Sequence, residues 1–533
     1  MISGARQVEP TWFHRIVARA MARRLNAFVV PGPDVARAHS LDIEGAGLQI
    51  VDTPRHASVL LLVGELPEGL RDAAAVAYSQ MPRPRAVFAV GTADVGPLSE
   101  PDVSVALNQD SLASGVQELR RTFAEGAFAP EIEDFEAEVV QEDEDDEGGM
   151  DHGHMHHDHG EEHEHESEQG DQEDNSEEDE SEEKEIGEAQ LESFMSMIEM
   201  TEGMPVSGDG LIMEWVPAPY GPLFPGLPGG FSFTFTLDGD TVAETEVELG
   251  IEGHVLSDIL CGPVESIVER AANLDPLTPV AYQLLACQAV ENAARTGVRS
   301  EYTMAQIGTL ERERAASHLG WVASFGYLIG DGSLSQRAAR LQLTLLRAES
   351  LGEIERVRSV IEKFVRAVLR TPLLKSKLGG IGALDSGNVH SASGPVARST
   401  GFETDVRSDD TTYRNLGFSP IVRNGNDALA RFQLRLEEIK QSLELVLEAG
   451  AITEMGYLLS KASCGTGTAT IETPRGRATL NLTLEDGEVT ATVLEAPSMR
   501  NVQLIEAVTV GQEVADALVG VGSLDLSPWE MSR

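Results

Sequence analysis

Seven histidines crowd into the stretch from Asp151 to His165: His152, His154, His156, His157, His159, His163 and His165, with carboxylates between them and Met150 and Met155 close by. Imidazole, carboxylate and thioether donors together can bind zinc, nickel or copper ions. The same tract also reads as a solvated acidic spacer. Its imidazoles would then gain charge near about pH 6 and offset part of the surrounding negative charge. Two more pairs stand out by spacing. Asp275 and Thr278 lie three residues apart, as do Ser527 and Glu530. Asp275 either joins a proton pathway or caps the helix expected to begin near Pro276. Carboxylates and hydroxyls do not replace the soft thiolates that hold nickel or iron–sulfur centres. Only three cysteines occur, Cys261, Cys287 and Cys464, and no two have CxxC spacing. That pattern predicts a reducing compartment, no disulfide framework and no cysteine-held cluster.

The elements that must position these residues fall into three regions. In residues 1–128, Val59–Gly64 and Ala86–Gly91 are short apolar runs ended by glycine, with a helical pattern over Gly69–Gln80 between them. Strand, helix, strand at this spacing predicts a βαβ unit in a parallel sheet. Residues 129–204 form the second region. Most of it is low-complexity Asp, Glu, His, Gly and Ser with little to bury, so a disordered acidic, His-rich linker is expected. In residues 205–533, Phe231–Asp238 and Thr241–Val247 predict a hairpin through Asp238-Gly239-Asp240. Helical patterns follow over roughly Pro279–Thr296, Met304–Leu328, Leu334–Arg370 and Ala428–Ala449, and alternating strands over residues 468–495. The expected fold class is an α/β N-terminal domain joined by the linker to a mainly α domain, a long-helix bundle with small antiparallel sheets.

Net charge is −48 over 533 residues, but the linker concentrates it. Glu131–Glu188 holds 29 acidic residues and one basic one, Lys184, which leaves −20 for the remaining 475. A moderately acidic folded part argues against nucleic acid as a partner, because phosphate binding needs a basic face. The first 25 residues run the other way, with five arginines against one glutamate. Trp12-Phe13-His14-Arg15-Ile16-Val17 there fits contact with a membrane partner or an anionic lipid surface. No apolar run reaches the roughly 20 residues of a membrane-spanning helix, and the N-terminus lacks the pattern of a secretory signal.

Several segments carry a resemblance. They are Asn273–Glu291, Glu311-Arg-Glu-Arg-Ala-Ala-Ser-His-Leu319, and Gly394-Pro-Val-Ala-Arg-Ser-Thr-Gly401 with Asp405 and Arg407. Asp427-Ala-Leu-Ala-Arg431 with Arg435, Glu438 and Ser442, then Glu472-Thr-Pro-Arg-Gly476 and Ser523-Leu-Asp525, complete the series. In this order they make residues 205–533 similar to the large subunit shared by complex I, where it is the 49-kDa subunit, and the group 4 nickel–iron hydrogenases. Thr53–Ser58 and Gln80–Val87 make residues 1–128 similar to the small iron–sulfur subunit, the 20-kDa subunit of complex I, that docks on that large subunit.

The resemblance implies an oxidoreductase family, and it also locates three sites to check. The hydrogenase cysteine pairs fall on Asp275/Thr278 and Ser527/Glu530, so a nickel–iron centre is expected to be absent. Ala93 stands at a cluster cysteine position and no cysteine precedes Cys261, so no [4Fe–4S] cluster is expected either. The quinone-site histidine and tyrosine fall on Phe224 and Pro276, which offer no donor to a quinone carbonyl. Buried ion pairs are expected among Arg398, Asp405, Arg407, Arg431, Arg435 and Glu438, and His318 is expected to be a satisfied buried histidine. The leading expectation is a non-redox scaffold or coupling subunit, docked from the cytoplasm on membrane-embedded antiporter-like or complex I-like proteins. The competing readings are an active NADH–quinone oxidoreductase-type subunit with a remodelled quinone site, and a zinc-, nickel- or copper-binding protein centred on the histidine tract.

Overall fold

Strands β3 (Val59–Val63) and β4 (Ala86–Val90) are buried on both faces, and they pair in parallel from Val59 opposite Ala86 to Val63 opposite Val90. Continuous β-branched and apolar runs make this possible, because a parallel sheet needs cover on both sides. With β1 (Leu25–Val30), β2 (Leu48–Ile50) and β5 (Val103–Val105), they form a five-stranded parallel sheet in the order β2-β1-β3-β4-β5. Helices α1 (Pro33–Ala38) and α3 (Gln109–Glu125) cover one face; Val35, Leu112, Val116 and Phe123 pack on Ala27, Leu61 and Phe88. Helix α2 (Glu68–Ser79) covers the other with Leu70 and Ala74. That second core also takes in Ile251 and Trp529 from the far end of the chain. The computed structural model describes residues 24–129, 214–294, 303–385, 387–452 and 464–531. The basic N-terminal segment with Trp12–Val17, the histidine tract and nearly all of the predicted linker lie outside the described residues.

From Val216 the chain begins with a three-stranded antiparallel sheet of β6 (Val216–Tyr220), β7 (Ser232–Asp238) and β8 (Thr241–Glu248). The predicted hairpin is present. Phe231, Phe233 and Phe235 drive their rings into a core with Leu504, Val508 and Leu524. A short strand β9 (Gly262–Pro263) precedes α4 (Pro279–Ala293), α5 (Met304–Leu328), α6 (Gly332–Leu346), α7 (Leu351–Leu369), α8 (Pro372–Leu378) and α9 (Ala428–Ala449). A second antiparallel sheet joins β9 to β10 (Gly465–Thr473), β11 (Gly476–Glu485) and β12 (Glu488–Glu495), in the order β10-β11-β12-β9. Helix α10 (Val514–Leu524) leads to the end.

Helix α5 is the spine, packed against α6 on one side and α9 on another. It opens with a capping box, in which Thr303 accepts from the Gln306 N–H and Gln306 accepts from the Thr303 N–H. One expectation is corrected: the single helix over Leu334–Arg370 is two. It breaks at Arg347–Ser350, where Ser350 N-caps α7 by accepting from the Glu353 N–H, while the Glu353 carboxylate accepts from the Glu349 N–H. A serine cap inside an uninterrupted apolar period is easily missed.

The sheet and the region after Val216 pack as one compact unit. Arg37 Nε donates to Gln342 Oε1 at 2.9 Å, and Arg347 donates to the Ser40 carbonyl. A Cβ on Gly229 would lie 2.1 Å from the Pro31 carbonyl oxygen, so glycine alone lets the two backbones approach this closely.

Candidate functional site

The four spaced oxygen residues converge. Asp275 and Thr278 lie on the turn that enters α4, while Ser527 and Glu530 lie just after α10, yet all are buried in one cluster. Thr278 Oγ1 donates to Asp275 Oδ2 at 2.8 Å, and Ser527 Oγ lies 3.4 Å from Asp275 Oδ1. At their centre is Arg475, 3% exposed, from the tight turn between β10 and β11. Its guanidinium donates to Asp275 at 2.6 Å and lies 3.6 Å from Glu530 and 3.5 Å from Asp525. Glu530 also accepts from the Tyr282 hydroxyl at 2.9 Å and from the N–H and hydroxyl of Ser498. The Ser498 hydroxyl in turn accepts from the Ser527 N–H.

Asp275 does not cap a helix at Pro276, which corrects one of the two readings given to it. Helix α4 starts at Pro279 and its N-cap, Thr278, makes no side-chain cap bond. The first amides of α4 are met instead by Glu313 of α5, which accepts from the N–H groups of Val280 at 2.7 Å and Ala281 at 2.9 Å. Buried polar groups of this kind need such partners, since an unpaired one is costly.

Burial pushes the Glu313 carboxyl up to about 8, with the Asp275 charge adding to the rise. It raises Glu530 as well, against the pull of Arg475. Burial would lower Arg475, but Asp275, Asp525 and Glu530 outweigh it and hold the guanidinium firmly charged. Burial also raises the Tyr282 phenol, helped by Glu530. His254 ties the two loops together: its Nε2 lies 3.1 Å from both the Leu274 and Trp529 carbonyls.

A second buried cluster adjoins the first through Arg435 of α9, which pairs with Asp525 at 3.4 Å and stacks over Trp321. Arg398 pairs with Glu438 at 2.8 Å, Glu472 at 2.6 Å and Asp405 at 3.1 Å. Arg407 pairs with Asp405 at 2.7 Å and Glu311 at 3.2 Å, and Arg314 joins Glu311 at 3.2 Å. Glu311 further accepts from Tyr413 and Ser442. His318 is satisfied at one nitrogen only, which corrects the expectation: Nε2 lies 2.9 Å from Glu438 Oε2, Nδ1 has no partner among the described residues, and burial lowers the imidazole's proton affinity. The predicted ion pairs are therefore present, except at Arg431. That guanidinium donates to Ser523 Oγ and the Asn426 and Gly382 carbonyls, and burial beside Arg435 lowers it to about 9.

Phe224 lies at the edge of a different feature, which Pro276 does not line. In the order β2-β1-β3, the connection leaving β1 runs to β2 and the one leaving β3 runs to β4. A crevice therefore opens at the carboxyl ends of these strands. A cavity of 110 Å³ lies there, lined by Pro31, Asp34, Asp52, Phe224, Ser324 and Tyr327 among others. A second of 40 Å³ shares Asp34, Gly226, Leu227 and Ser324 with it, and reaches Leu277, Arg475 and Asp525. Each exceeds the roughly 15 Å³ that one water needs. The Asp34 carboxyl is raised by burial, and Tyr327, bonded to Asp52, is raised to about 12 by burial and that partner. Ala93 is exposed beyond the end of β4.

Sequence reasoning assigns no role to Arg475, Tyr282, Ser498, Glu313, Asp34 or Tyr327. Glu313 does leave a trace: Glu311-Arg-Glu-Arg314 puts four consecutive charges in a helix whose other residues are mostly apolar or small. Arg475 and Asp34 are set by contacts between distant segments, which spacing does not reveal.

Comparison with known proteins agrees with the motif order. The family described as respiratory-chain NADH dehydrogenase, 49 Kd subunit, matches residues 347–463. An NADH-quinone oxidoreductase subunit of Geobacillus kaustophilus is 26% identical over 57% of this chain and 95% of that protein. Its counterpart in Desulfotalea psychrophila is 27% identical over 59% of this chain and 95% of its own length. Among solved structures, a chain of the membrane-bound sulfane sulfur reductase, described as an archaeal respiratory membrane complex, has the same fold over 60% of this chain. The TM-score is 0.54, with 20% identity and 98% of that chain covered. Over somewhat more than half its length, then, the chain is similar to the 49-kDa-type subunit of NADH-quinone oxidoreductases.

Proposed function

We propose that this protein is a peripheral subunit of a respiratory membrane complex, in which it couples or scaffolds membrane-embedded ion-translocating partners without carrying a nickel–iron or iron–sulfur centre of its own. The observation that carries this reading is that Arg475 pairs with Asp275 and Glu530, while Thr278 and Ser527 turn their hydroxyls to Asp275. A thiolate-held centre does not suit this donor set, because its oxygens are already engaged with each other and with a fixed guanidinium. The N-terminal sheet, read as a small-subunit-like domain over residues 1–128, would then keep the docking surface of that subunit without its cluster. No helix among the described residues is long and apolar enough to cross a membrane; in this reading attachment runs through partners on the cytoplasmic side. Purification from mild-detergent extracts tests the proposal. Integral membrane proteins should co-purify, with no iron–sulfur absorbance and no nickel or iron in stoichiometric amount. A reducible cluster signal or stoichiometric nickel in the washed protein would overturn it.

A second reading keeps quinone as a ligand at a remodelled site. The cavities joining Asp34, Tyr327 and Phe224 to Arg475 favour it, since they place new protonatable groups beside the old position. Titration with a short-chain quinone, read by tryptophan fluorescence, should show saturable binding that Asp34→Asn weakens. Absence of saturation would remove this reading and leave the first intact. The histidine tract, His152 to His165, supports a separate proposal of zinc, nickel or copper binding. Calorimetry on the full chain and on a chain lacking residues 151–165 tests it.

A further inference from the structure

The basic residues of the folded part are unevenly placed. Residues 363–377, at the end of α7 and along α8, carry Lys363, Arg366, Arg370, Lys375 and Lys377 and no acidic residue, in a chain of net charge −48. The first four are exposed, and none forms an ion pair with a described residue. Lys377 is committed elsewhere, donating to the Ile329 carbonyl at 2.7 Å. Between these cations two leucines face solvent, Leu369 at 39% and Leu373 at 57%. Beside them opens a cavity of 150 Å³ with Leu429 and Phe432 among its lining and Arg370 and Lys375 at its edge.

A helix end attracts cations through its dipole, and Arg366 sits in the last turn of α7. Lys375 likewise sits in the last turn of α8, but no dipole accounts for the apolar side chains held in water between these cations. Cations around an exposed apolar tip instead match an interfacial anchor, with leucines at the acyl boundary and ammonium or guanidinium groups at headgroup level. The net negative charge of the chain does not cancel this locally, since exposed charges are screened beyond roughly 10 Å at moderate salt.

We infer that the α7–α8 turn is a docking surface for an anionic phospholipid membrane. The bond from Lys377 to Ile329 ties this turn to the same end of α5 that carries Tyr327. This inference does not depend on the reading of the Arg475 cluster.

Co-sedimentation of the full chain with phosphatidylcholine vesicles, with and without roughly 30% phosphatidylglycerol, tests it. Binding is expected only to the anionic vesicles, and it should weaken as salt rises. The variant K363E/R366E/R370E/K375E should lose affinity by about tenfold or more, and L369S/L373S by a smaller factor, both with unchanged circular dichroism. Charge reversal at Arg15, Arg19, Arg23 and Arg24 should leave most of the binding in place. The inference is overturned if the wild-type chain does not bind anionic vesicles. It is equally overturned if the α7–α8 variant binds like wild type while the N-terminal variant does not.

Discussion

Two buried clusters of charge lie side by side in this protein, and they behave differently toward protons. In the cluster around Arg398 and Arg407, guanidinium groups overcome burial and hold Glu311, Asp405 and Glu438 below the usual carboxylate range. Glu472 is the exception, raised by burial and by its neighbour Asp405. Around Arg475, Glu530 is raised, and Glu313 next to that cluster reaches about 8. The first cluster is a lattice of fixed charges that locks helices to a sheet. The second includes carboxyls that can be neutral, next to cavities large enough for water. Burial alone therefore does not distinguish structure from function; the number of cations per carboxylate does.

The sharpest way to break that comparison is to remove a cation from the fixed lattice. Arg398→Met should cost about 3–5 kcal/mol, because three buried carboxylates each lose a cation. Chemical denaturation would show whether the protein still folds cooperatively. Arg475→Met should cost somewhat less, about 3 kcal/mol at neutral pH. Much of that loss should disappear in acid, since Glu530 can take up a proton where Asp405 and Glu438 beside Arg398 resist it. A loss independent of pH would erase the distinction between the clusters.

Glu313→Gln tests the protonatable side directly. The folded-state value of about 8 lies above the ordinary 4.5. Its stabilising contribution is therefore complete below the ordinary value and is lost as pH rises through about 8, at up to about 1.4 kcal/mol per pH unit. Relative to wild type, the glutamine variant should gain melting temperature between about pH 5 and pH 8.5. The smallest effect is expected at the cavity mouth. Tyr327→Phe removes a half-exposed bond to Asp52 and should cost under about 1 kcal/mol.

Much of the fold was legible because apolar period and turn chemistry are local signals. The runs Val59–Val63 and Ala86–Val90, the hairpin at Asp238-Gly239-Asp240 and helix α5 all fall where the pattern predicts. The break between α6 and α7 was not legible, because Ser350 caps without disturbing the period. The site was legible by position rather than by role. Motif order brought Asp275, Thr278, Ser527 and Glu530 to notice, and the structure gathers them. The partner shared by Asp275 and Glu530, Arg475, lies 200 residues from Asp275 along the chain, a distance no periodicity spans.

The guanidinium at the centre of that cluster has a kinetic consequence. A metal ion held by side chains has an off-rate; it can be chelated, exchanged or withheld by a starved cell. Arg475 is covalently part of the chain, so its positive charge is delivered at synthesis and cannot be lost by dissociation. Charge balance in this cluster is thus uncoupled from metal supply, and only unfolding or proteolysis removes it.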